Sequence, residues 1–227
     1  MKKTMIAIIL SAMTISTYAT ESIEINSEVV KKEVTDNRII KNQTDLFKNE
    51  PLTEQSIEFQ RAAIVSINKK YFEQNNYPKE EIHNLYVSLI SLGLNEAAEY
   101  LYLNPNTDID VNEYNESGFT PLMAAAMAPL KGGNVEAADR LIKLGAEVNK
   151  GAKKSEITSI SIAANVNNYK VLSLLLVNGA LFMKADKLDY RPIDYAIKNN
   201  SLESALILKE ALSEKIQEVT EKNKKNK

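Results

Sequence analysis

The sequence predicts an all-α fold, a solenoid of about four helix-turn-helix repeats with a capping helix at each end. Three observations predict it. Residues 118–149 (GFTPLMAAAMAPLKGGNVEAADRLIKLGAEVN) read as one unit of two short helices joined by a glycine-containing break. Copies of it stand in register: EAADRL at 136–141 echoes EAAEYL at 96–101, Gly145-Ala146 returns as Gly179-Ala180, and Arg191-Pro192-Ile193-Asp194 lies 33 positions after Thr158-Ser159-Ile160-Ser161. Two helices this short cannot bury their own apolar face, so each copy needs a neighbour.

Taken in order, residues 1–19 (MKKTMIAIILSAMTISTYA) carry Lys2-Lys3, an apolar run and then small residues. This is the pattern of a secretory signal peptide cut after Ala19. The alternative, an uncleaved anchor, needs a longer run with fewer interruptions than Ser11, Thr14 and Ser16 leave. Residues 20–50 are polar with sparse apolar positions, as in a flexible linker. Within 51–77, Ile57, Ile64, Ile67 and Tyr71 recur at helical spacing, with Phe59, Ala63 and Phe72 widening the stripe, which predicts an N-terminal capping helix. Residues 78–220 form the repeat domain. Ile82, Leu85, Leu89 and Leu92 mark the inner helix of a degenerate first repeat, and 94–103 its outer partner. Thr120-Pro121 opens the second repeat, because proline supplies a helical φ at the first turn, where its missing N–H is not needed. Val135, Ala138, Leu141 and Ile142 share the apolar face of its outer helix, and Gly145 ends it. The third repeat begins at Thr158 and the fourth at Arg191. Residues 201–212 form the last outer helix, which continues to about Val219, and 221–227 (EKNKKNK) are expected to be a disordered, solvated tail.

A period of about 33 with two helices and a turn resembles the ankyrin repeat. The resemblance covers roughly residues 80–212. Its Gly-x-Thr-Pro-Leu start matches at Gly118, Thr120, Pro121 and Leu122, and its Gly-Ala-x-Val-Asn end at Gly145, Ala146, Val148 and Asn149. Met123, Ser161 and Asp194 replace the family's histidine; methionine there puts in question the side-chain hydrogen bonds that brace the turn.

The chemistry that composition leaves open is narrow. Twenty-eight basic residues stand against 30 acidic ones, a balance that points neither to nucleic acid nor to a strongly cationic partner. Removal of a leader containing Lys2 and Lys3 leaves 26 basic against 30 acidic. The absence of cysteine excludes disulfides, thiolate metal sites, cysteine nucleophiles and a lipid-modified N-terminal cysteine. His83 is the only histidine, so a histidine-rich metal site or a Ser-His-Asp triad has little to build on. It reads as a partly exposed helix residue. Asp194 reads as a helix-start acceptor of backbone N–H groups. No metal or cofactor is expected, and the chain is expected not to be an enzyme. It should neither bind nucleic acid nor insert stably in a membrane once the leader is cut, and it should be monomeric.

What remains is surface for a protein partner. The resemblance implies a concave face lined by inner helices and inter-repeat turn tips. On it, the residue before each Thr-Pro-type start is Phe119, Ile157 or Tyr190, a ladder of large apolar side chains suited to a partner. The alternative is that each of the three packs on its own turn. Tyr114, Asn115, Glu116, Lys150, Lys153, Lys154, Lys187 and Asp189 would form the polar rim. The insertion 127–132 is either a contact finger or a cover for the adjacent repeat. The leader without a lipidation cysteine points to a bacterial periplasm. By resemblance to small periplasmic ankyrin proteins, the partner would be a secreted antibacterial lipase toxin that this chain neutralises as an immunity protein, or an oxidative-stress enzyme it assists. A structural or envelope-tethering role is the remaining class.

Overall fold

A computed structural model describes residues 54–225. The leader 1–19, the linker 20–50, residues 51–53 and the end of the tail, 226–227, lie outside the described residues. Among the described residues there are nine α-helices and one isolated β-bridge, Gly151–Thr158. Helix α1 (Glu54–Ile67) runs into a π-helical turn (Asn68–Phe72). Four inner–outer pairs follow: α2 (Lys79–Ser91) with α3 (Asn95–Tyr102), α4 (Pro121–Met127) with α5 (Val135–Lys143), α6 (Ser159–Asn165) with α7 (Tyr169–Val177), and α8 (Pro192–Lys198) with α9 (Leu202–Lys225). The inner helices stack in sequence, each on the next, and α5, α7 and α9 stack behind them. This is the helical solenoid the repeat pattern predicts.

The core is layered by side-chain size. Ala125, Ala126, Ala163, Ala164 and Ala196 are buried on the inner helices and let their backbones approach closely. Leu122, Leu141, Ile160, Leu172 and Leu175 fill the spaces between layers. Each such fully buried side chain contributes about 1.5–3 kcal/mol relative to exposure.

The residues that replace the family's histidine all brace the same helix start. Thr120 Oγ1 accepts from Met123 N at 3.4 Å while Thr120 N donates to the Met123 sulfur at 3.5 Å. A thioether is a weak acceptor, yet here it closes a reciprocal cap, so the methionine keeps the brace. Ser161 Oγ meets Thr158 Oγ1 at 3.2 Å, and Asp194 Oδ2 accepts from Arg191 N at 2.9 Å.

Amide side chains tie repeat to repeat. Asn134, fully buried, donates to the carbonyl of Ile90 at 2.8 Å and to Asn95 Oδ1 at 2.7 Å, while its own oxygen accepts from Ala137 N at 3.2 Å. Asn168 donates to the Ala126 and Ala128 carbonyls at 2.7 and 2.9 Å. Ser201 donates to the Asn165 carbonyl at 3.2 Å. Each thus satisfies carbonyls left over at the end of the preceding inner helix. Asn112 and Asn149 do the same at the other end of the outer helices: Asn112 donates to Gly145 O and accepts from Glu147 N, and Asn149 donates to Gly179 O and accepts from Leu181 N.

Four expectations need correction. The N-terminal cap buries Gln60, Ile67 and Tyr71, whereas Ile57 and Phe59 are exposed. The cap packs against outer helix α3, and Gln60 reaches in to accept from Ala97 N at 3.1 Å. In α2 the buried residues are Ile82, His83, Tyr86, Val87, Leu89 and Ile90, because the helix is covered on two sides; Leu85 and Leu92 are only half-buried. His83 is therefore buried rather than partly exposed, with Nε2 at 3.1 Å from the Glu113 carbonyl. Finally, α9 continues through 221–225, where a disordered tail was expected. Glu218 there pairs with Lys215 and Lys222 at helical spacing, and these residue types favour helix.

The insertion 127–132 covers its neighbours. Leu130 lies against the first repeat, where a Cβ added to Gly93 would come 2.9 Å from its Cδ1. Gly132 O accepts from Val171 N of the third repeat at 3.0 Å. Gly133 has φ +89° and an added Cβ would fall 2.6 Å from Val171 Cγ2, so a side chain there is excluded twice over.

Candidate protein-binding face

Between successive inner helices the chain makes three turns closed in the same way, the second one residue longer than the other two. Each is closed by a bond from its first N–H to its last carbonyl: Asn115 N to Phe119 O at 2.9 Å, Ala152 N to Ile157 O at 2.9 Å, and Asp186 N to Tyr190 O at 3.1 Å. Gly118, Glu156 and Asp189 occupy the left-handed position in turn, with φ of +81°, +61° and +63°. The next N–H of each turn bonds backwards. Glu116 N donates to Asn84 Oδ1 at 2.9 Å, Lys153 N to Gly118 O at 3.0 Å and Lys187 N to Ser155 O at 3.0 Å. The turns thus form a row held largely by main-chain bonds, with the side chains of Asn84, Asn115 and Asp186 bracing the first and third.

Phe119, Ile157 and Tyr190 stand at the closing position of these turns. Phe119 and Ile157 are half-buried and pack on the core, each presenting the remainder of its side chain. Tyr190 packs its ring 5.4 Å from Tyr195, under the Lys198 ammonium at 4.8 Å. The three side chains thus pack on their own turns and keep an exposed share.

The rim residues divide. Tyr114 donates to the Gly151 carbonyl at 2.7 Å, and Asn115 Oδ1 accepts from Phe119 N at 2.9 Å, so these polar groups brace the turns. Lys150 bonds Glu147 at 2.9 Å, a bond that raises its pKa, and lies 5.3 Å above the Tyr114 ring. Glu116, Lys153, Lys154, Lys187 and Asp189 are exposed. Lys187 is not free, since its ammonium bonds the Lys154 carbonyl at 3.0 Å and lies 3.4 Å from Glu156.

The last repeat carries features the sequence reading passed over. Leu188 and Ile197 are 70% and 65% exposed. Ile197 stands where Ala126 and Ala164 are buried, and among the described residues no further inner helix covers it. Beside it, Leu188, Asp189, Tyr190, Arg191 and Asp194 line an open depression of about 610 Å³. Tyr195 donates to the Asp186 carboxylate; burial, then that bond, push its phenol up to about 12. Among the described residues, no group of three His, Cys, Asp or Glu side chains is placed to hold a metal ion, and no helix is long and apolar enough to cross a membrane.

Comparison with known proteins agrees with this geometry. The family model described as Ankyrin repeat matches residues 117–153. Inversin of Canis lupus familiaris is 35% identical over 96 residues, and Inversin of Mus musculus 37% identical over 93 residues. Those alignments cover 42% and 40% of this chain but only 8% of either relative, so the chain spans a small part of the length of the proteins it matches.

Proposed function

We propose that this chain, whose residues 117–153 match the Ankyrin repeat model and whose helices stack as a solenoid, is an exported, periplasmic ankyrin-repeat protein that binds another protein through its concave face and catalyses nothing itself. The observation that carries the reading is the row of three turns closed by the same hydrogen bond, with Phe119, Ile157 and Tyr190 at the closing position of each. A surface set by main-chain bonds loses little entropy when a partner docks. Partly exposed aromatic side chains on such a frame are the residue types that dominate binding energies. The leader pattern of 1–19 supports export. An enzyme reading finds no support in the only histidine, whose Nε2 faces the Glu113 carbonyl in the interior.

The test is capture from envelope extracts by the mature chain and by a Phe119→Ala/Tyr190→Ala variant, beside fractionation of cells to locate the protein. The wild type should retain one specific protein and the variant should retain it at least about tenfold less, as expected when two anchors of about 1 kcal/mol or more are truncated. Equal capture by both would remove the ladder from the site. Recovery of the full-length, uncleaved chain in the cytoplasm would remove export.

A further inference from the structure

We propose that the open edge of the third turn, formed by Lys187, Leu188 and Asp189, is a docking site for a lysine carried on an extended or turn segment of a partner protein. The proposal rests on the protein-binding reading above and narrows it to the chemistry of the docked segment.

The template is inside the molecule. Lys187 docks on the second turn through three contacts: its N–H on the Ser155 carbonyl at 3.0 Å, its ammonium on the Lys154 carbonyl at 3.0 Å, and its ammonium 3.4 Å from the Glu156 carboxylate. One turn further along, Leu188 takes the place of Ser155, Lys187 that of Lys154, and Asp189 that of Glu156. The last pair share the left-handed backbone, at φ +61° and +63°. The third turn, one residue shorter than the second, therefore presents the same kinds of acceptor, two carbonyls and a carboxylate, that already receive a lysine once. Lys153 N also bonds the preceding turn, but on the left-handed Gly118, one position further along than Ser155.

This second acceptor set has no occupant among the described residues. Among the described residues neither the Lys187 nor the Leu188 carbonyl accepts a hydrogen bond, and the Asp189 carboxylate makes no hydrogen bond or salt bridge. Arg191 feels the charge of Asp189, but its guanidinium is engaged by Asp194 at 2.9 and 3.1 Å. Leu188 and the depression of about 610 Å³ beside it supply apolar and open space for the incoming segment.

The contact set specifies the occupant. A main-chain N–H must reach the Leu188 carbonyl, which calls for a polypeptide adding to an edge. Lys187 shows that an ammonium, with its rotatable donors, reaches a turn carbonyl and the neighbouring carboxylate together, which favours lysine over the flat fork of a guanidinium. A second copy of this chain does not fit by its first turn, where Glu116 stands at the lysine position and its N–H is already bound to Asn84.

The test uses the mature chain and a synthetic hairpin peptide copying residues 184–191 (KADKLDYR), observed by two-dimensional amide NMR. A matched peptide carries norleucine in place of the lysine at 187. Asp189→Asn is the variant, since asparagine tolerates the left-handed backbone and leaves the fold intact. The expected result is shifts confined to the amides of 187–191, with affinity about two- to fivefold weaker on Asp189→Asn or with the norleucine peptide, the range for one exposed ion pair. No shifts there, or equal affinity with norleucine, overturns the proposal. Concentration-dependent shifts of the same amides in the chain alone, abolished by removing 221–227, would give the site to this chain's own lysines and overturn the partner assignment. Asp189→Asn leaves Phe119 and Tyr190 in place. Capture lost only with the ladder variant would therefore sink this inference and spare the protein-binding reading.

Discussion

Asn134→Ala is expected to weaken the join between the first and second repeats. The side chain is fully buried, caps α5 by accepting from Ala137 N at 3.2 Å, and donates to Ile90 O at 2.8 Å and to Asn95 at 2.7 Å. Loss of the cap costs about 1 kcal/mol. Leaving the Ile90 carbonyl without its donor costs about 1–3 kcal/mol more. The sum, about 2–4 kcal/mol, corresponds to a fall in Tm of roughly 5–15 °C for a chain of this size. Two companions set a scale. Asn168→Ala removes donors to Ala126 and Ala128 but no side-chain cap and should cost about 1–3 kcal/mol. Ser201→Ala removes one 3.2 Å bond and should cost under about 1 kcal/mol. Urea unfolding followed by circular dichroism measures all three, with the m-value reporting whether the array still unfolds as one unit. If Asn134→Ala stayed within about 0.5 kcal/mol of wild type, or cost less than Ser201→Ala, the reasoning that buried amides hold the repeats together would be refuted.

Two further outcomes follow from the same structure. Gln60→Ala should destabilise by about 1–2 kcal/mol, because Gln60 supplies the acceptor for Ala97 N from another helix; hydrogen exchange should rise first in α1 and α3, and unchanged protection there would show that the cap is held by other contacts. Asp194 is held below the ordinary carboxylate range, chiefly by its hydrogen bond to Arg191. Its contribution is present above the unfolded value near about pH 4 and is lost as pH falls through the lower folded value. Solvent limits it to a few tenths of a kcal/mol, so stability measured between about pH 4 and 2 should fall slightly more steeply in wild type than in Asp194→Asn; parallel curves would discard the pair as a stabilising element.

What the sequence made readable was periodic. Thr120-Pro121, Gly145-Ala146 and their copies placed the starts of α4, α6 and α8 and the ends of α5 and α7 within a residue or two, because a turn that recurs at fixed spacing marks a boundary several times over. The amide ties were visible as letters and not as bonds: Asn112 and Asn149 belong to the repeat pattern, yet only stacking brings Gly145 and Gly179 within their reach. His83 was misplaced because a single apolar stripe suffices for a surface helix, whereas an inner helix is covered on two sides and buries what a stripe leaves out. Within the candidate site, the positions of Phe119, Ile157 and Tyr190 came from the period alone. The role proposed for Asp189 did not, since it depends on Lys187 docking on the preceding turn, which only the stacked structure displays.

The two edges of the solenoid are joined by different chemistry, and this separates stability from recognition. At the helix edge the ties are side-chain amides buried among carbonyls, where substitution leaves an orphaned polar group. At the turn edge Lys153 N to Gly118 O and Lys187 N to Ser155 O are main-chain bonds that any non-proline residue can make. Exposed side chains such as Lys153, Lys154 and Asp189 are then released from holding the array, and their substitution costs little beyond surface ion pairing. These exposed members of the proposed partner-binding face are therefore ones on which folding places few demands. The same freedom that suits them to recognition leaves no trace of the partner's identity in the repeat pattern.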